Sequence, residues 1–208
     1  MLQVKQIVNS IFTSNTYLVF DDEYDYCWLV DIGDYTRVSE ALPKGMKVKG
    51  LFLTHTHFDH TYGINALHKA HPKCIVYTSA YGWEALHDDK KNLSRYHEAS
   101  FTYKGGEIVV LDEGNTVELF PKRKLIAYAT SGHCPSCLTF CVGDYIFTGD
   151  SYLPGVKVVT KLPKGNKRQA FESIKKILHL AEGKTICPGH GEMVKCVKQE
   201  RKYNHKAK

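Results

Sequence analysis

LFLTHTHFDH, residues 51–60, decides how this chain is read. Residues 48–54 have the character of an apolar strand of the buried kind, and three histidines and an aspartate then follow within six positions. Side chains alternate along an extended strand, so His55 and His57, two apart, project to the same side and can share one metal ion. Asp59 and His60 come where the chain turns toward a helix, and the changed geometry directs them to a neighbouring point. One short segment thus offers ligands to two metal positions. A lone buried histidine is ordinarily a satisfied core residue, but three imidazoles and a carboxylate without partners are too costly to bury as filler.

The flanking chain is read as a frame for this segment. The N-terminal residues form a strand pair, with strands at 17–20 and 27–30 separated by the acidic turn DDEYD. The second strand ends at Asp31-Ile32-Gly33, and a short helix over 34–42 is stopped by Pro43. Helices are expected at 60–70 and 79–87. Strands follow near 107–111, 116–120, 124–130, 138–142 and 144–148. A helix then begins around Arg168, with Asn166 and Gln169 as N-cap and N3 partners. Phe171, Ile174, Ile177, Leu178 and Ala181 form its apolar face, and Gly183 closes it. A last strand at 185–187 runs into Pro-Gly-His-Gly. Strands then helices, twice over, predict two sheets packed face to face with helices outside, in one domain over 1–194 followed by a basic tail over 195–208.

The bulk properties exclude several classes. The 208 residues suffice for one well-buried core, and 43% hydrophobic with 24% charged residues is ordinary for a globular domain. Five of the six net positive charges come from the C-terminal tail, where six basic residues face only Glu200, so the body is near neutral and a nucleic-acid partner is not expected. No apolar run approaches the ~20 residues of a membrane-spanning helix. The N-terminus has no apolar stretch with a small-residue cleavage site, and seven cysteines is an odd number. Reduced thiols in a cytoplasmic protein are the expectation, not a disulfide framework.

Three further candidates each follow an apolar strand and a glycine-containing turn: His133 in ATSGHCPSC, Asp150 in IFTGDSY and His190 in CPGHG. Imidazole and carboxylate together suit zinc, with iron or manganese also acceptable. HTHFDH, His133, the Gly-Asp of FTGD and the final Pro-Gly-His resemble the metallo-β-lactamase superfamily, from Asp31 to His190, in ligand type, order and approximate spacing. The resemblance implies an αββα sandwich of two mixed sheets flanked by helices, with a two-metal site at one edge. Carried over, His55, His57 and His133 hold the first ion, and Asp59, His60 and His190 the second. Asp150 bridges the two, and Asp31 supports the site from behind the ligands. Two divalent cations set against two aspartates and a bridging hydroxide leave a charge of about +1, which favours an anionic tetrahedral intermediate, while the pKa of bound water falls toward ~7. The implied catalytic residues are Asp59, which handles the proton, with His57 and Asp150.

Within that superfamily the spelling is most similar to the hydroxyacylglutathione hydrolase (glyoxalase II) type. Asp150 differs from the exported lactamases, and His57 stands where flavodiiron oxidoreductases have glutamate. The implied activity is hydrolysis of a small ester or thioester by a dinuclear-metal-bound hydroxide, with a mononuclear-iron persulfide dioxygenase-like oxidoreductase or a nucleic-acid phosphodiesterase as alternatives. Glyoxalase II enzymes carry a C-terminal helical domain that helps hold glutathione, which leaves the acyl carrier open. Around His133 the family commonly has Thr-Pro-Gly-His-Thr-Pro-Gly-Ser, whereas this chain has Thr130-Ser131-Gly132-His133-Cys134-Pro135-Ser136-Cys137. The two thiols are read as small buried fillers, with redox activity or metal capture as alternatives. Lys157 and Lys161 are candidates to meet an anionic substrate, and Tyr62 and Tyr152 to line the mouth. Histidines 68, 71, 87, 97, 179 and 205 have no ligand spacing and are read as structural or surface residues.

Overall fold

The computed structural model describes residues 1–197, so the basic tail beyond Val197, with His205, lies outside the described residues. Two six-stranded sheets are stacked face to face. The first runs in sequence order through β1 (Leu2–Val8), β2 (Asn15–Asp21), β3 (Tyr26–Val30), β4 (Lys47–Phe52), β5 (Ile75–Thr78) and β6 (Ile108–Val110). The second runs from β7 (Thr116–Phe120) through β8 (Arg123–Ala129), β9 (Leu138–Val142), β10 (Tyr145–Gly149) and β11 (Thr185–Pro188) to β12 (Val194–Lys195). Both are mixed: β3 to β6 are mutually parallel and β10 is parallel to β11, whereas the hairpin-linked neighbours are antiparallel. Helices α1 (Tyr35–Ala41), α2 (Ile64–Ala70) and α3 (Ala80–Leu86) flank the first sheet, and α4 (Lys167–Leu180) flanks the second. Among the described residues no helix is long and apolar enough to cross a membrane.

The continuous apolar strands are explained by burial on both faces. Tyr17, Val19, Trp28, Val30 and Phe52 point inward to meet Leu138, Phe140, Val142, Phe147 and Cys187 of the opposite sheet. The alternate residues Leu18, Cys27, Leu29 and Leu51 point outward to Val38, Ile64, Leu67 and Leu86, on the helices or at their ends. On the other side Cys141, Ile146 and Ile186 meet Ile177 and Ala181 of the α4 region. The sheets also join by hydrogen bonds at one edge: Leu138 N donates to Thr54 O (2.7 Å), Asn15 N to Gly189 O (2.7 Å) and Tyr17 Oη to Pro188 O (2.7 Å). These bonds fix the relative position of the two strand ends that carry the ligands.

Three details depart from the sequence reading. Strand β5, the four residues Ile-Val-Tyr-Thr, was not expected, because a short parallel strand buried in the sheet has no alternation to reveal it. The buried face of α4 is Ala170, Ser173 and Ile177, continued by Ala181, while Phe171 and Leu178 are 57% and 41% exposed. Of the expected stripe Ile177 and Ala181 are buried, while Ala170 and Ser173 join the face because they meet the Ser131–Gly132 loop. Asn166 does cap the helix, accepting from Arg168 N and Gln169 N, yet its own N–H donates to Gly132 O and not to the Gln169 side chain. Gly183, at φ +75°, sits two residues past the cap residue Ala181.

The corrected packing sets an expected contrast in stability. Phe140, fully buried between the sheets and 5.4 Å from the Phe52 ring, should cost about 3–5 kcal/mol on truncation to alanine. Phe171→Ala should stay within about 0.5 kcal/mol. Urea unfolding of the two variants measures both, and a large loss at Phe171 would contradict the assigned face.

Candidate metal centre

The site forms where β3, β4, β10 and β11 end at one edge of the sandwich. After β4 the chain stays extended through His57 (φ −65°, ψ 152°) and then closes a single 3-10 turn over Phe58–His60. This puts His55 and His57 side by side, ring centroids 4.7 Å apart, and swings His60 round to 4.2 Å from the His55 ring. Phe58 points into the fold and stacks on His97 at 4.2 Å. His133 arrives from the loop between β8 and β9, Asp150 from the end of β10 and His190 from the end of β11. Gly189 is required there, since a Cβ would run into the Asp150 carboxylate.

Three donor groups each lie within 4.8 Å: His55, His57 and His133; Asp59, His60 and His190; and Asp31, His55 and His60. In the first, His57 Nδ1 and His133 Nε2 are 2.9 Å apart. In the second, His60 Nε2 is 3.4 Å from both His190 Nε2 and Asp59 Oδ2, and His190 Nε2 is 3.3 Å from Asp59 Oδ2. Ligand atoms about 2.1 Å from one tetrahedral ion stand about 3.4 Å apart, so this triangle has the size of a coordination face. Asp150 lies between the groups, with Oδ2 3.6 Å from His133 Nε2 and from His190 Nε2, and Oδ1 3.6 Å from His60 Nε2.

His55 Nε2 and Asp150 Oδ1 are buried with no hydrogen-bond partner, which is expensive for a polar atom unless a cation takes that place. The far ring nitrogens are spoken for: His60 Nδ1 by Asp31 Oδ2 (2.9 Å), His133 Nδ1 by Val159 O (2.7 Å) and His190 Nδ1 by Phe12 O (3.0 Å). Each such bond fixes a tautomer whose Nε2 lone pair faces inward. The residues therefore fit divalent cations. Asp31 is in one donor group but its oxygens are engaged elsewhere: Oδ1 accepts from Thr54 N, and Oδ2 from Thr54 Oγ1 and His60 (2.7, 2.7 and 2.9 Å). It acts behind the ligands. Thr54, which also contacts His55 Nδ1 at 3.1 Å, gave no signal in the sequence beyond its place before His55.

Electrostatics mark the same point. Burial alone pushes His60 down, but Asp59, Asp31 and Asp150 outweigh it and raise it to about 9. Asp150 and Asp59 likewise overcome burial at His190 and raise it to about 10. Asp150 is held well below the usual carboxylate range by His190, His60 and His133, against the cost of its burial. His55, buried and surrounded by imidazoles, is driven well down. The pocket thus demands positive charge at the Asp59–His60–His190 end, supplied by protons when no metal is there.

Two other expectations are corrected. The Tyr62 ring lies 5.6 Å from that of Phe58 at a 32° tilt and its hydroxyl meets Ser10, and Tyr152 packs toward α4. A cavity of about 220 Å³ beside His57 is instead flanked by Tyr81, Tyr96, Lys90, Lys91 and Lys164, while Lys157 and Lys161 are exposed outside its lining. Cys134 borders the cavity too but joins no three-donor group among the described residues.

For folding, the sign is set by the raised histidines. Their contribution is complete below the unfolded value of about 6.5 and is lost as pH rises through about 9 to 10. The metal-free chain should therefore lose Tm between about pH 6.5 and 10. Thermal scans across that range test this, and a flat or rising Tm would contradict it. Asp31→Ala should weaken metal binding about 10–100-fold, read by competition with a chromogenic chelator.

Comparison with known proteins identifies the family and the fold. A hydroxyacylglutathione hydrolase from Enterobacter sp. (strain 638) is 29% identical over 180 residues, covering 86% of this chain and 62% of that protein, so the chain spans less than two thirds of this curated relative. The solved structure of the BLEG-1 B3 metallo-β-lactamase superposes with TM-score 0.79 at 22% identity, covering 92% of this chain and 93% of that one. TTHA1623, solved in a di-iron-bound form, superposes with TM-score 0.76 at 26% identity, covering 92% and 94%. A family model described as the metallo-β-lactamase superfamily matches residues 10–190, the span that holds every ligand candidate. The chain belongs to the metallo-β-lactamase superfamily.

Proposed function

We propose that the chain is a metal-dependent hydrolase of small thioesters or esters. His55, His57 and His133 hold one divalent cation, Asp59, His60 and His190 a second, and Asp150 serves both. The observation that carries the reading is Asp150, 3.6 Å from histidines of both groups and with Oδ1 otherwise unpartnered. When bound, the cations supply Lewis acidity and lower the pKa of a water to about 7. Zinc is the first choice from the mixed imidazole–carboxylate donors. Iron is the second, supported by the di-iron form of TTHA1623.

The chain's own groups do the rest. Asp59, on the turn beside His60 and 3.3 Å from His190, is the carboxylate placed to take up the proton of the attacking water. Asp31 and Thr54 hold the ligand rings of His60 and His55 in place. The cavity beside His57 takes the acyl or thiol arm between Tyr81 and Tyr96, with Lys90, Lys91 and Lys164 favouring a negatively charged one. A thioester fits the name of the Enterobacter relative. The seven free cysteines support a reducing, cytoplasmic setting.

Metal analysis followed by a panel of thioesters, lactones and phosphodiesters tests the proposal. About two ions per chain and thioester cleavage are expected. His57→Ala and Asp150→Ala should each reduce kcat/KM about a hundredfold or more, with the fold retained by circular dichroism. Full activity after chelation would overturn the reading. Oxygen uptake with a persulfide and a single iron per chain would favour the dioxygenase-like alternative.

A further inference from the structure

The loop that delivers His133 carries a feature that hydrolysis does not use. In Cys134-Pro135-Ser136-Cys137 the two sulfurs stand 3.3 Å apart, both buried within the protein. The loop is tied down around them. Ser136 Oγ accepts from Thr56 N and Thr56 Oγ1, both at 3.2 Å, and contacts Cys134 Sγ at 3.1 Å. Ser79 Oγ donates to Ser136 O (3.0 Å), and Thr130 N donates to Cys137 O (3.1 Å). A disulfide needs its sulfurs about 2.05 Å apart, so the pair must close by about 1.3 Å, within reach of side-chain rotation. Cys134 also borders the cavity beside His57, which gives a small reagent access to that thiol, and Cys137 borders a second cavity next to Ser79 and Leu111.

We propose that Cys134 and Cys137 are a reversible oxidation site that forms an internal disulfide with a low-molecular-weight disulfide or a peroxide as oxidant. With a small disulfide RSSR, Cys134 loses its proton to solvent and its sulfur attacks one sulfur of RSSR. The RS–SR bond breaks, and RS⁻ leaves and takes up a proton. Cys137 then loses its proton and attacks Cys134 Sγ; the mixed disulfide breaks and a second RSH leaves. Two protein thiols are oxidised to one disulfide, and RSSR is reduced to two RSH. With a peroxide ROOH, the Cys134 sulfur takes the terminal oxygen as the O–O bond breaks and ROH leaves; Cys137 then attacks Cys134 Sγ, the S–O bond breaks and the oxygen leaves as water. The bond would form beside the metal site, because Cys134 follows His133 and borders the same cavity as His57. The inference rests on the sulfur geometry alone and holds whatever the enzyme hydrolyses. A transient disulfide of this kind is the form compatible with a reducing compartment.

The test is thiol mapping of the full chain across glutathione buffers of rising glutathione-disulfide fraction. Free thiols are alkylated at each step and the peptides identified by mass spectrometry. The expected result is a 134–137 linked peptide, lighter by two hydrogens, that appears before glutathione is found on the partly exposed Cys196 and that disappears with dithiothreitol. Cys137→Ser should stop at glutathione on Cys134, and Cys134→Ser should give no linked peptide. The proposal is overturned if both thiols remain alkylatable while Cys196 reacts, or if the wild-type chain keeps glutathione on Cys134 with Cys137 free. Mapping of the wild-type chain decides the matter even where a variant fails to fold.

Discussion

The site depends on one buried carboxylate. Asp31 takes the left-handed conformation (φ +58°), an uncommon one for a residue other than glycine, at the end of β3. Its N–H donates to Phe52 O, and its carboxylate accepts from Thr54 N, Thr54 Oγ1 and His60 Nδ1. One side chain thus joins the end of β3, the end of β4 and the 3-10 turn. Burying a carboxylate is costly, and three short donor bonds offset part of that cost, burial still pushing the Asp31 carboxyl up. The outcome is directional: with Nδ1 held by Asp31, His60 can only present Nε2 to the site.

The sandwich supplies the second constraint. In each sheet the strands that end at the site are parallel neighbours, β3 with β4 and β10 with β11, so their carboxyl ends fall at the same edge. The bonds Leu138 N to Thr54 O and Asn15 N to Gly189 O then hold the two edges in register. Ligands far apart in the chain, such as His60 and His190, are thereby brought to 3.4 Å. A close-packed aromatic core between the sheets, with Phe52 stacked on Tyr77 at 4.6 Å, keeps that register from sliding.

Charge and access are separated within the site. The carboxylates Asp59 and Asp150 concentrate negative potential where His60 and His190 stand, and their raised pKa values report it. The lysines and tyrosines lie on the opposite flank, around the cavity at His57 and Cys134. Cys134 borders that cavity, on a loop whose hydrogen bonds leave its sulfur close to that of Cys137 without joining them.

Much of this was legible in the sequence because the information is local. The alternation of strands, the two-residue spacing of His55 and His57, and the turn that redirects Asp59 and His60 all follow from backbone geometry over a few residues. The distant partners His133, Asp150 and His190 were found because each follows a strand and a glycine turn, and the four-layer arrangement followed from the order of elements. What remained hidden depends on long-range contact. Strand β5 is too short to reveal itself, and the face of α4, legible at Ile177 and Ala181, includes Ala170 and Ser173 in place of Phe171 and Leu178 because it also meets the Ser131–Gly132 loop. Tyr81, Tyr96 and Lys164 reach the cavity from segments whose local pattern says nothing about it. By itself the sequence determined the layers and the donor types. Tertiary packing alone decided which atoms meet, because a distance of 3.3 Å between sulfurs or 3.6 Å between Asp150 and three histidines is a property of two sheets in register and of no single strand.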